Sequence, residues 1–129
     1  MRGKTTRNAA YLVSALGVVL HVYLTLTHSA TGSVYNLIVP GLNAAPYLAC
    51  LAFAITTTRP AMPLCAALIV LLIDVYLFHG YFLSTRTYRF AMIEVYQVIF
   101  KMVVILPIGC FIGFVIDKLG KHDAQKQAE

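Results

Sequence analysis

The sequence is poor in charge. Only 12% of its 129 residues are charged, and no Asp, Glu, Lys or Arg occurs between Arg7 and Arg59. It has no Trp, and its 3 Cys lie in apolar runs without the CxxC spacing of a zinc site or an extramembrane pair that could form a disulfide framework. Because 60% of the residues are hydrophobic and the mean hydropathy is +0.78, the composition excludes an ordinary soluble domain and predicts a membrane protein.

Motifs that carry reactions are also missing. The chain has no glycine-rich phosphate loop, no HExxH zinc motif and no nucleophile motif, so we predict that it is not an enzyme. Its net charge of +5 comes largely from residues that flank apolar segments. The positive-inside rule explains these residues without a nucleic-acid partner.

Four apolar segments are long enough to cross a bilayer, whose hydrocarbon core of about 30 Å needs roughly 20 helical residues. They cover residues 9–28, 34–57, 61–83 and 90–116, and a polar tail follows at 117–129. The first segment is longer than the core of a signal peptide, so we expect it to be retained. Each segment should be helical because lipid cannot hydrate unpaired backbone groups, and short connections make successive helices antiparallel. The prediction is an all-α, polytopic four-helix transmembrane bundle that forms one domain over residues 1–129.

Basic residues fall mainly at one end of this predicted bundle. Arg7 precedes the first span, Arg59 follows the second and Lys118 follows the fourth, whereas Arg86 and Arg89 occupy the opposite end. By the positive-inside rule, both termini are expected to face the cytoplasm. The predicted location is the bacterial inner membrane, with the chain as a multi-pass protein.

One carboxylate interrupts the third span. Asp74 lies in the run LIVLLIDVYLFHGYFLS, where an unpaired charge costs about 3 kcal/mol. Counting inward at about 1.5 Å per residue places Asp74 and Lys101 at similar depths, about 15 Å from the same end of the bundle. We therefore predict that Asp74 pairs with Lys101. His21 and Asn43 lie at comparable depths and are the alternative partners.

Two further ionisable side chains belong to this region. Glu94 lies seven residues before Lys101 on the same helix face, where it is either an interfacial carboxylate or an entry point for cations. His79 is five residues from Asp74, which turns it about 140° away, toward another helix or toward water. The predicted intramembrane polar cluster contains Asp74, Lys101, His21, Asn43, Glu94 and His79.

The cluster has two interpretations. It is either a buried ion pair that fixes helix register or a relay for protons or cations. We predict no metal site and no cofactor, with haem or quinone binding through His21 and His79 as the alternative. Pro40, Gly41 and Pro46 interrupt the second apolar segment, and they either free backbone carbonyls for an ion or only kink the helix.

Two likenesses to known families concern architecture. The run MIEVYQVIFK resembles a helix of the small four-helix proteins associated with ATP synthases, but the rest of the chain does not follow that pattern. In span number and length the chain is similar to small multidrug transporters, whose working Glu lies in the first span, where this chain has His21. Neither likeness assigns a role to a residue of this chain.

The minimal loops and the polar or small residues on several helices favour a non-enzymatic accessory or assembly subunit of a larger membrane complex, or a homo-oligomer. The alternative is a small proton- or cation-coupled transporter or channel that uses the intramembrane cluster of Asp, Lys, Glu and His. The expected partners are the lipid bilayer and either other membrane subunits or further copies of the chain.

Overall fold

Every element that the structure describes is a helix. The computed structural model describes residues 2–28, 35–82 and 92–126, and within these ranges it contains no strand. Three helical stretches are long and apolar enough to cross a membrane, and a fourth apolar stretch is shorter: Gly3–Thr27, Ala61–His79, Val95–His122 and Gly41–Thr56. This confirms the predicted all-helical, multi-pass membrane architecture. The helices are α1 (Arg2–His28), α2 (Tyr35–Thr56), α3 (Ala61–Phe82), α4 (Met92–Phe100) and α5 (Leu106–Lys126), and a π-helical turn, Lys101–Ile105, joins α4 to α5.

The helices differ from the predicted spans in length and continuity. α1 includes the polar segment before Ala9, and α5 continues through most of the polar tail. α2 runs as one helix through Pro40, Gly41 and Pro46, so the chain is not broken there, and the alternative of a kink stays a prediction. Two of the three predicted loops, one of them with Arg86 and Arg89, fall in residues 29–34 and 83–91 and lie outside the described residues, whereas the loop at 58–60 is described.

α3 is the central helix, and it packs against α1, α2 and α5. Its approach to α5 is close because α5 presents glycines. A Cβ added to Gly109 would lie 2.5 Å from the Cα of Ala66, and one added to Gly113 would lie 2.3 Å from the carbonyl oxygen of Ala61. Residue numbers therefore rise along α3 as they fall along α5, as expected for antiparallel neighbours. Small residues that allow backbones to approach are a general device of membrane helix packing.

The π turn changes which residues of the fourth span face α3. The backbone N–H of Leu106 bonds to the carbonyl of Lys101, five residues back. Pro107 follows directly, and a proline opposes a regular α-helical turn before it by steric clash and lack of an N–H. On a straight α-helix Lys101 and Gly109 would be about 80° apart, but the one extra residue of the π turn reduces this to about 20°. Lys101 and the glycines of α5 can therefore all contact α3.

Charged side chains lie together at one end of the bundle, where α1 begins, the turn between α2 and α3 lies, and α5 ends. Arg7 donates from Nη2 to the carbonyl of Thr57 at 2.9 Å. The guanidinium carbon of Arg59 lies 4.4 Å from the centre of the Phe114 ring. We call this part of the bundle the basic end, and the part beyond Asp74 along α3 the opposite end.

Candidate functional site at Asp74

One carboxylate joins four helical elements. Asp74 is fully buried on α3 and has hydrogen-bond partners on α1, α2 and the π turn. Tyr47 donates its hydroxyl to Oδ2 at 2.6 Å, and Nε2 of His21 lies 2.9 Å from the same oxygen. The ammonium of Lys101 donates to Oδ1. We call His21, Tyr47, Asp74 and Lys101 the Asp74 cluster.

The Asp74 cluster is closed to water. None of its four residues exposes more than 2% of its surface. Removing a charged group from water costs several kcal/mol, and a buried carboxylate recovers this only through opposite charge and several hydrogen bonds. The ammonium of Lys101 provides the charge, and the donors from α1 and α2 bind the remaining oxygen.

Aromatic rings surround the charged groups. Phe78 lies one helical turn beyond Asp74, is 4% exposed, and meets the His21 ring edge-on at a centroid distance of 5.6 Å and an interplanar angle of 87°. The Nζ atom of Lys101 is 5.8 Å from the centre of the Phe78 ring. Phe78 therefore closes the Asp74 cluster on the side that faces the opposite end.

A glycine on α1 makes room for Tyr47. Gly17 lies one turn before His21, and a Cβ at this position would lie 2.1 Å from Cε1 of Tyr47. The Tyr47 ring is fully buried, and its hydroxyl is held by Asp74, so it has little freedom to move aside. Gly17 thus allows the phenol to reach across to α3.

The structure brings most of the predicted cluster together. Asp74 bonds to Lys101, the partner expected from depth, and also to His21, one of the two alternatives. Asn43 is buried on α2, one turn from Tyr47. Glu94 belongs to α4, but its side chain lies outside the described residues.

His79, which the predicted cluster included, lies apart from the Asp74 cluster and faces outward, one of the two directions expected for it. Its side chain is exposed, and Nδ1 contacts the backbone carbonyl of Tyr76 on the same helix. The centres of the Tyr76 and His79 rings are 5.9 Å apart. The physical reason is the five-residue step from Asp74, which turns His79 about 140° round α3 and away from the bundle centre. His21 and His79 therefore do not converge on a common ligand.

Tyr47 is the cluster member that the predicted site did not include. It lies on the same face of α2 as Asn43, one helical turn away. The available signal was its position four residues from Asn43, facing a helix with glycine at comparable depth. Within the described ranges, no three His, Cys, Asp or Glu side chains come together in a way that could hold a metal ion.

No protein-family model, curated protein or solved structure matches this chain.

Proposed function

We propose that this chain is a small proton- or cation-coupled transporter in which Asp74 is the ion-binding carboxylate. The observation that supports this is the hydrogen bonding of one fully buried carboxylate by three other helical elements. A buried ion pair is weak evidence for stability, since apolar residues of the same volume often stabilise a protein equally well. Ionisable residues inside membrane segments are instead typical of ion pathways and proton relays.

The two oxygens of Asp74 have different surroundings, which suggests how exchange could occur. Oδ2 is held by Tyr47 and His21, whereas Oδ1 bonds to Lys101. The Lys101 ammonium thus occupies the place that a mobile monovalent cation would take. When the cluster opens to water on one side, a cation from that side binds Oδ1, and Lys101 gives its proton to that water and becomes a neutral amine, so the net charge of the Asp74 cluster does not change. Release of the cation on the other side and return of a proton to Lys101 from that side complete a turnover that exchanges one cation for one proton.

The described conformation corresponds to an occluded state of this cycle. Phe78 covers the side toward the opposite end, and Lys101 begins a π turn, a feature that recurs at functional sites. Toward the basic end, Ser14 lies two turns from His21 and is fully buried, with a hydroxyl that has no hydrogen-bond partner among the described residues. Ser14 is therefore a buried polar group between the Asp74 cluster and the basic end.

The test is flux through the purified chain in proteoliposomes, with a pH-sensitive dye inside and Na⁺ or K⁺ added outside. The parent protein should give a cation-dependent pH change. Asp74→Asn should abolish it, and Lys101→Met should allow cations to bind without releasing protons. Matched controls are the same substitutions elsewhere, Asp123→Asn in the polar part of α5 and Lys4→Met on the exposed face of α1, which should keep the parent rate. A parent protein without cation-dependent flux, or Asp74→Asn flux equal to the parent, would remove Asp74 from any transport mechanism.

The proposed orientation places the basic end in the cytoplasm and the chain in a bacterial inner membrane. It is supported by the gathering of Arg7, Arg59, Lys118 and Lys121 at that end, as the positive-inside rule describes. Labelling of a single cysteine added at Lys126, in a chain whose own three cysteines are replaced, tests it. Labelling of intact cells by an impermeant reagent would contradict the orientation.

The second candidate function is an accessory or assembly subunit of a larger membrane complex, or a homo-oligomer. The observation that favours it is that few residues of the last span are buried. In the most apolar part of Val95–His122 only 17% of the residues are buried, compared with 39% in Ala61–His79. Large apolar side chains such as Phe111 and Leu119 are 66% and 60% exposed on α5. Crosslinking after gentle-detergent purification distinguishes the two candidates, because a strictly monomeric chain with no co-purifying protein would count against the second.

A further inference from the structure

A hollow lies at the basic end, well away from the Asp74 cluster. It has a volume of about 780 Å³, and it is bounded by the start of α1, the turn between α2 and α3, and the end of α5. Its apolar wall includes Leu64 and Ile116, and its polar wall includes Arg59, Asp117 and Lys121. This volume is within the usual range of small-molecule sites.

The polar wall carries both signs of charge. A smaller hollow of about 290 Å³ shares Arg59, Asp117 and Lys121 with the larger one, and it adds Lys118. The Arg59 guanidinium rests on the Phe114 ring, which orients the cation while leaving its N–H groups available. Three cations and one carboxylate therefore line the smaller hollow, at the level where membrane spans end.

Asp117 requires a donor that the described residues do not provide. Its Oδ2 atom is enclosed and accepts no hydrogen bond from them. The Asp117 side chain is only partly buried and lines both hollows, so the oxygen that is not enclosed can accept from a ligand there. A ligand with an ammonium group would satisfy the carboxylate, and an attached phosphate would lie among the cations.

We infer that this hollow binds an aminophospholipid with a phosphoethanolamine head group. The phosphate pairs with Arg59 and Lys121, the primary ammonium donates to Asp117, and the acyl chains follow the apolar wall into the bilayer. A choline head group fits less well, because its quaternary nitrogen has no N–H to donate. A purely anionic head group brings a negative charge toward Asp117. Lipid binding at this hollow does not depend on transport through Asp74.

Lipid retention by the full-length chain tests this. The protein is purified, loaded from mixed micelles with equal amounts of phosphatidylethanolamine, phosphatidylcholine and phosphatidylglycerol of identical acyl chains, and analysed by native mass spectrometry. The parent protein should retain phosphatidylethanolamine about fivefold more than phosphatidylcholine, as expected for one partly exposed charge-assisted hydrogen bond. Equal retention of these two lipids, or a preference for phosphatidylglycerol, would overturn the inference without any variant being made.

Variants then assign the contacts. Asp117→Asn should remove the preference for phosphatidylethanolamine over phosphatidylglycerol, and Arg59→Gln with Lys121→Gln should reduce retention of both lipids. Lys4→Gln is the matched control, since Lys4 is an exposed cation near the same end that does not line the hollow. Circular dichroism and size-exclusion profiles confirm that each variant is folded. A loss of retention in Lys4→Gln as large as in Arg59→Gln would reduce the effect to general attraction by positive charge.

Discussion

Asp74 and Lys101 should be energetically coupled, and a double-mutant cycle measures that coupling. Asp74→Asn leaves the Lys101 ammonium in a low-dielectric interior without its counter-charge, and removing one partner of a buried pair typically costs about 3–5 kcal/mol. Lys101→Met leaves a carboxylate that still has Tyr47 and His21 as donors. It should therefore cost less, about 2–3 kcal/mol, the contribution of one hydrogen bond to a charged group.

The double variant contains neither charge. The Asn amide can still accept from Tyr47 and His21, so we expect a loss of about 1 kcal/mol, below either single loss and far below their sum. The free energy of unfolding is measured by denaturant titration in mild detergent, with folded yield as a second readout. The control cycle, Asp123→Asn with Lys101→Met, should be additive because the two residues are roughly 30 Å apart along one continuous helical stretch, at about 1.5 Å per residue. Additivity within about 0.5 kcal/mol in the Asp74 and Lys101 cycle would show that the pair is not coupled and would make His21 the principal partner.

Three further predictions concern helix packing and side-chain exposure. Gly109→Ala should lower the free energy of unfolding by about 1–3 kcal/mol, because the new Cβ would meet the backbone of α3. Gly120→Ala is the control, since its Cβ would enter open space and should be neutral or stabilise by up to about 1 kcal/mol. Equal shifts in the melting temperatures of the two variants would contradict this. Gly17→Ala should displace the Tyr47 ring and slow cation-dependent flux as much as Tyr47→Phe does, and parent-like flux would show that the hydroxyl is dispensable. His79→Gln should change the free energy of unfolding by less than about 0.5 kcal/mol, since the side chain is exposed. A loss above about 1 kcal/mol would show that His79 contributes to the packing of the bundle.

Hydropathy was sufficient to predict the helical spans because lipid imposes one solution on the backbone. Depth was sufficient to predict the contact between Asp74 and Lys101, since antiparallel neighbouring helices bring residues at equal depth side by side. The helical rotation of about 100° per residue also indicated that His79 diverges from Asp74. These predictions depend on properties of single helices.

The remaining features depend on how helices meet. Tyr47 reaches Asp74 only because Gly17 on another helix leaves space for its ring, and no pattern within α2 contains that information. The π turn follows from Pro107 inside an otherwise continuous apolar run, yet a proline there could equally have produced a kink. The hollow at the basic end combines residues from three separate parts of the chain. Their proximity is a tertiary property, and no spacing along the sequence encodes it.

The π turn also separates the fourth span into two mechanically distinct halves. Gly109 and Gly113 anchor α5 against the backbone of α3, whereas α4 has no such glycine contact among the described residues. If the turn took up α-helical geometry, one residue would leave it, and α4 would rotate by about 100° and advance by about 1.5 Å relative to the anchored half. Lys101 stands at the first position of the turn. A local change of hydrogen-bond register would therefore move the Lys101 ammonium away from Asp74 while α3 and α5 stay packed against each other.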